Sequence, residues 1–408
     1  MKKSAYQVYL LFCFCSSFLF SMATTLSLVY HLEVVRLNPF QLVLVGTVLE
    51  TSCFVFEIPT GIVADLYSRK RSIIIGVFLY GLGFLMEGSL PWFWTVLAAQ
   101  VVWGCGDTFI TGALEAWISS EQREDSMDRT FLRGEQLRQV GGIAGILLST
   151  LLGNVNLQLP IIGAGVLYLV FGVVLIPAMQ ETNFSPALEE RHTLLHDITH
   201  MFHLNLRFLK GAPVLLILLL ITFCGGLSSE GFDRLSTAHF INDTVMPSWG
   251  GMSHATWFGV MSLLGMGLNA LGTEGLVRYL EAKGRISRGG IVLVASAGYI
   301  ISMILFAFSQ SFGWMLAFYL LTGFMRTWKG PVMNAWMNEH VDEKMRATVF
   351  STGGQIDSLG QVIGGPIIGW IASGISVSWG IGCTALLLLP ALFLILGAEK
   401  LDQRAKVK

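Results

Sequence analysis

Charged side chains are scarce in this sequence. They make up 13% of 408 residues, about half the share in a soluble globular chain. That shortage excludes a protein whose whole surface faces water. Cysteine is also sparse. The six (Cys13, Cys15, Cys53, Cys105, Cys224 and Cys383) all lie in apolar runs. A disulfide framework is excluded on that ground, and the Cys13-x-Cys15 pair, flanked by Phe and Leu, reads as helix packing rather than a metal site. No basic patch with interleaved aromatics occurs, which excludes nucleic acid as a partner. A G-x-x-x-x-G-K-[ST] loop is missing, and with it a nucleotide-driven pump. No Ser/His/Asp set or metal-ligand spacing emerges, so the reading is not an enzyme and needs no cofactor.

What is present is length of apolar run. Residues of the hydrophobic set make up 53% of the chain, and glycine is frequent at 45 residues. Apolar stretches of membrane-crossing length recur from end to end, and glycine suits close helix packing in lipid. Twelve spans are expected, near 8–30, 41–63, 72–90, 92–118, 132–153, 157–179, 212–236, 253–275, 289–308, 311–337, 347–373 and 377–398. The first follows Lys2 and Lys3 and has no convincing cleavage site, so it reads as a retained span rather than a signal peptide.

Lysine and arginine set the orientation. With both termini in the cytoplasm, that side holds Lys2, Lys3, Arg69, Lys70, Arg71, Arg123, Arg129, Arg191, Arg207, Lys210, Lys283, Arg285, Arg288, Lys344, Arg346, Arg404, Lys406 and Lys408. The opposite loops hold only Arg36. The expectation is a multi-pass protein of the inner (cytoplasmic) membrane, working as a monomer. The polar stretch from Gln180 to Lys210 separates six spans from six. This gives an N-terminal bundle over 1–180, a cytoplasmic linker over 181–210 and a C-terminal bundle over 211–408. His192, His196, His200 and His203 in that linker have near-helical spacing, which fits an amphipathic helix on the inner membrane surface better than a metal-binding or pH-sensing role.

The halves match at an offset of 219 residues. Ala116-Trp117 answers Ala335-Trp336, and Phe131, Gly134 and Gln136 answer Phe350, Gly353 and Gln355. Gly141 and Gly145 answer Gly360 and Gly364. Parallel six-helix repeats are one plan for an alternating-access carrier.

The loop after the second span reads Gly61-Ile62-Val63-Ala64-Asp65-Leu66-Tyr67-Ser68-Arg69-Lys70-Arg71. With Gly61, Asp65, Arg69 and Lys70 in place, it resembles the G-x-x-x-D-x-x-x-R-[RK] motif of the major facilitator superfamily. That resemblance implies an all-α membrane fold of twelve helices in two six-helix bundles, with the aspartate and arginine latching the cytoplasmic side. The second-half counterpart, sought around Glu274-Gly275 to Lys283-Gly284-Arg285, is degenerate. The drug–proton antiporter branch of the family carries an arginine in span four, where this chain has Gln100. Its span-five glycine–proline run is absent here, and the nearest is Gly364-Gly365-Pro366 in span eleven.

Ionisable groups inside spans are costly and mark function or pairing. The substrate or proton-coupling candidates are Glu57, Asp107, Glu115, Glu230, Asp233, Arg234, Arg326 and Lys329, with Trp328 beside the last two. Glu50, Glu274 and Asp357 also fall within spans, while Glu87 reads as interfacial. Asp107 and Arg326 are repeat equivalents and are expected to form a midplane acid–base unit. Glu115, eight residues past Asp107, is expected on the same helix face. Two functions follow. One is proton-coupled export of small amphipathic or drug-like compounds, permitted by 27 Phe, 11 Trp and 9 Tyr. The other is carriage of a polar metabolite, with Arg326 and Lys329 favouring an anionic group. In both, the partners are a small molecule, protons and the bilayer.

Overall fold

The structure, a computed structural model, describes residues 4–122, 127–184, 212–283, 287–342 and 345–407. The linker histidines, Arg123, Arg285 and Lys344 lie outside these residues. Among the described residues every regular element is helical. Spans one to six are Ala5–Glu33, Pro39–Leu66, Arg69–Ser89, Phe93–Glu121, Met127–Gly153 and Gln158–Ala178. Spans seven to eleven are Pro213–Asp243, His254–Lys283, Arg288–Ala307, Phe312–Glu339 and Arg346–Gly374, and span twelve starts at Val377. Two compact units result. One comprises Met1–Glu189 with Pro247–Leu263, and the other Glu190–Met246 with Leu264–Lys408.

Local chemistry sets the helix starts. Asn38 and Gln41 form a reciprocal capping box ahead of Pro39, and Ser68, Ser287 and Ser376 each accept from a backbone N–H at a helix start. These caps satisfy donors that the helix itself leaves orphaned. Nine helical stretches among the described residues are apolar enough to cross a bilayer. Spans five, ten and eleven fall short because they carry polar groups that must find partners inside a bundle.

Span four is broken. Its first helix ends at Ile110 and its second begins at Ala113, with Thr111 extended and Gly112 at φ 77°. Glycine is suited to that left-handed turn because it carries no Cβ. The break corrects the expectation that Glu115 shares a face with Asp107, since a continuous helix was the premise of that spacing.

The repeat is built into the packing of each unit. In the first, a Cβ on Gly141 or Gly145 would come within 2.4 Å of the Phe14 carbonyl oxygen or 2.3 Å of that of Phe18. In the second, Gly360 and Gly364 stand 2.6 Å and 2.2 Å from the carbonyl oxygens of Phe223 and Leu227 by the same measure. Span five thus lies backbone to backbone on span one, and span eleven on span seven. Such crossings need residues without side chains. Gly145→Leu and Gly364→Leu are each expected to destroy monodispersity in size-exclusion chromatography, as overpacking against backbone leaves no room for relaxation. Gly313→Leu, where a Cβ meets nothing within 4 Å, should elute like the parent protein.

Candidate functional site

Span seven places Glu230, Asp233 and Arg234 within about one turn. Glu230 is buried and accepts from Arg234 Nε at 3.2 Å, so this acid and base answer each other along the helix. Asp233 points instead to span ten, where Arg326 Nη1 donates to both of its carboxylate oxygens at 2.6 and 2.9 Å. The expectation paired Arg326 with Asp107, but its carboxylate within the second unit is Asp233. A contact between residues 93 positions apart carries no signature in a single sequence. Tyr299 and Tyr319 give the pair an aromatic surround, Tyr319 stacking on Phe232 with centroids 5.9 Å apart.

Lys329 lies one turn beyond Arg326 on the same face. Both line a cavity of about 440 Å³ together with Thr222, Ser229, Tyr299 and Asp357. That volume lies in the range of small-molecule sites. Asp357, on span eleven, accepts from Gln361 Nε2 at 3.0 Å. Trp328 packs on Phe324 with ring centroids 5.3 Å apart. No group of three or more metal-ligating side chains occurs among the described residues.

The first unit holds the other acids. Asp107 accepts from the Tyr80 hydroxyl at 2.5 Å, and Tyr80 begins a stacked set with Phe84, Trp103 and Tyr168. Glu57 is exposed. Glu115 sits 3.8 Å from Arg138 and rims a hollow of about 860 Å³ with Asp128 and Glu135. The rim carboxylates of Glu115 and Glu135 are at least half exposed, so that hollow is washed by solvent and its ion pairs are weak.

The motif after span two engages the carbonyl end of span four. Arg69 Nη1 donates to Ala116 O at 3.0 Å, Lys70 N donates to Glu181 Oε1 at 3.1 Å, and the Ser68 hydroxyl also donates to Glu181. Asp65 is exposed, and a Cβ on Gly61 would meet nothing within 4 Å. The second unit repeats the arginine contact at the offset of 219 and the serine–glutamate contact within one residue of it. Arg288 Nη1 donates to Ala335 O at 2.8 Å and the Ser287 hydroxyl donates to Glu399. The counterpart is therefore Ser287-Arg288, a few residues beyond Lys283-Gly284-Arg285, and its arginine half is intact. Glu181 and Glu399 were missed because each sits about 112 residues from its serine.

A buried network was missed as well. Glu87, two residues before the end of span three, is 2% exposed. Its carboxylate meets His31 Nε2 at 2.8 Å and Gln100 Nε2 at 3.0 Å, and its carbonyl accepts from Tyr30 OH at 2.6 Å. Gln100, which stands where the antiporter branch has arginine, is thus a neutral donor to a buried acid. At the offset of 219 from Glu87 lies Phe306, whose carbonyl partners His239 Nε2 at 3.1 Å. Each unit therefore ties its first helix to its third through a buried histidine.

Three comparisons bear on identity. The family model described as Major Facilitator Superfamily matches residues 9–301. The uncharacterized MFS-type transporter YxaM of Bacillus subtilis (strain 168) is 24% identical over 366 residues, covering 87% of this chain and 85% of the relative. Among solved structures, the nucleoside transporter NupG superposes with a TM-score of 0.76 at 12% identity, over 97% of this chain and 99% of that one. A bacterial homolog of the human lysosomal transporter Spinster gives 0.77 at 14% identity, over 98% of both chains. The POT family transporter PepTSo gives 0.77 at 13% identity, over 99% of both. At such identities these structures speak for the fold alone. Twelve spans, an arginine-to-carbonyl contact repeated at one offset and a family match over most of the length agree, and the chain belongs to the Major Facilitator Superfamily.

Proposed function

We propose that this secondary transporter carries a polar solute, anionic ones included, and that Arg326 and Lys329 bind it. The observation that carries the reading is the second unit's cavity, where two cations one helical turn apart face a solute-sized space. Arg326 is already oriented by Asp233, and Lys329 has no ion pair among the described residues. The drug–proton antiporter reading has less support, because Gln100 is committed to Glu87 where that branch carries an arginine. Uptake into proteoliposomes tests the proposal with a panel of anionic, zwitterionic, neutral polar and amphipathic cationic compounds. Accumulation of polar solutes is the expected result, and accumulation of amphipathic cations alone would overturn it.

Proton coupling belongs to the same proposal, with Asp107 as the coupling acid and the termini in the cytoplasm. Asp107 is half-buried and its side-chain partners are the hydroxyls of Tyr80 and Thr111, an arrangement that either protonation state can keep. Asp107→Asn is expected to abolish gradient-driven accumulation while downhill exchange persists. Undiminished accumulation in that variant would move the role to Glu57. The latch proposal rests on Asp65, which is exposed beside an arginine already bound elsewhere and so is free to engage in a second conformation.

A further inference from the structure

We infer that the cavity of the second unit is built for a zwitterion, with the solute's anionic group on Lys329 and its cationic group on Asp357. This rests on the reading of that cavity as the solute site and goes beyond it in fixing the charge pattern of the ligand.

Glu230 and Arg234 neutralise each other on span seven, and Asp233 neutralises Arg326 between spans seven and ten. Two charges facing the cavity are then left, Lys329 from span ten and Asp357 from span eleven. They attract each other without meeting in a contact ion pair. A Cβ placed on Gly225 would lie 3.3 Å from Lys329 Nζ and 3.9 Å from Asp357 Oδ1, so the two groups are within about 7 Å of each other. Yet no ion pair or hydrogen bond joins them among the described residues. Gln361 holds Asp357 through Oδ2, which leaves Oδ1 toward the space beside Gly225.

That arrangement discriminates among ligand classes. A simple anion gains Lys329 but brings like charge beside Asp357. A simple cation gains Asp357 but brings like charge beside Lys329. A solute with a carboxylate and an ammonium a few ångströms apart answers both residues at once and leaves neither charge unpartnered. Gly225 supplies the floor between them. It has no side chain to fill the gap, so a short zwitterion can lie against bare backbone.

Thermal unfolding of the purified full-length protein tests this with matched probes. These are alanine, β-alanine and γ-aminobutyrate as zwitterions, propionate and butyrate as acids, and propylamine and butylamine as amines. At least one zwitterion is expected to raise Tm by several degrees while its matched acid and amine do not. Asp357→Asn and Lys329→Gln should each lose that response, and Asp357→Asn should gain one to the matched acid. Gly225→Ala keeps every charge and places a methyl against the flexible tip of Lys329. It should fold normally and show a weakened zwitterion response, which guards against variants that merely misfold. Acids that stabilise the parent as well as zwitterions do, with Asp357→Asn unaffected, would overturn the zwitterion inference and leave the anion reading standing. Silence from every probe, with polar uptake intact, would also overturn it.

Discussion

Asp233→Asn is expected to cost most of the transport activity, and Arg326→Gln the same, whereas the double variant should recover part of it. Arg326 and Asp233 meet at 2.6 Å, with side chains 48% and 37% exposed, and Arg326 lines the cavity. Removing one partner strands a charge beside tyrosines. The penalty lies between that of an exposed pair and that of a fully buried one, roughly 1–3 kcal/mol. The larger effect is positional. Without Asp233 the guanidinium is free to swing onto another acid facing the cavity, Asp357 above all, and close the space the solute needs. Removing both charges takes away that misplacement but also one solute-binding cation, so recovery stays incomplete. A double-mutant cycle on initial uptake rates measures the coupling. Strictly additive effects would show that the pair does not act as a unit.

Lys329→Gln should weaken solute binding with little change in folding. Lys329 makes no contact ion pair among the described residues, so its replacement breaks no direct contact, although it removes a nearby positive charge from Asp357, which Gln361 and the positive charge of Arg326 still support. The loss is that of one charge-assisted hydrogen bond to solute, about 1.5–3 kcal/mol, or roughly 10- to 100-fold in affinity. Lys329→Arg keeps the charge on a longer, planar head and should recover only part of the binding. Unchanged uptake affinity in Lys329→Gln, with normal expression, would remove this residue from the site.

The membrane fold was legible because lipid imposes it. Every backbone polar group must be satisfied within a span, so apolar length and the positions of lysine and arginine already define the helices. The repeat was legible for a related reason. Gly141 with Gly145, and Gly360 with Gly364, are held to glycine by carbonyl oxygens less than 3 Å from where a Cβ would stand, and that requirement recurs at one offset. The site was legible as a set of residue types but not as pairs. Arg326 was visible as a cation in a membrane span, while Asp233 as its partner depended on how spans seven and ten cross. The presumed face shared by Asp107 and Glu115 failed on one backbone angle, at Gly112, because a glycine in a helical run does not announce whether it bends. The network around Glu87 was not legible because its partners, His31 and Gln100, come from two other helices.

Site-directed alkylation tests the central claim, that solute binds in the second unit's cavity, most directly. In a cysteine-free background, Asn334→Cys places a thiol on the wall of that cavity, and Leu132→Cys places one in the solvent-washed hollow of the first unit. Both proteins are treated with a small thiol reagent, with and without the polar solute that the uptake panel returns. The account predicts dose-dependent protection of Asn334→Cys by several-fold, with Leu132→Cys reacting at an unchanged rate. Protection at Leu132→Cys with none at Asn334→Cys would contradict it and move the solute to the acidic hollow.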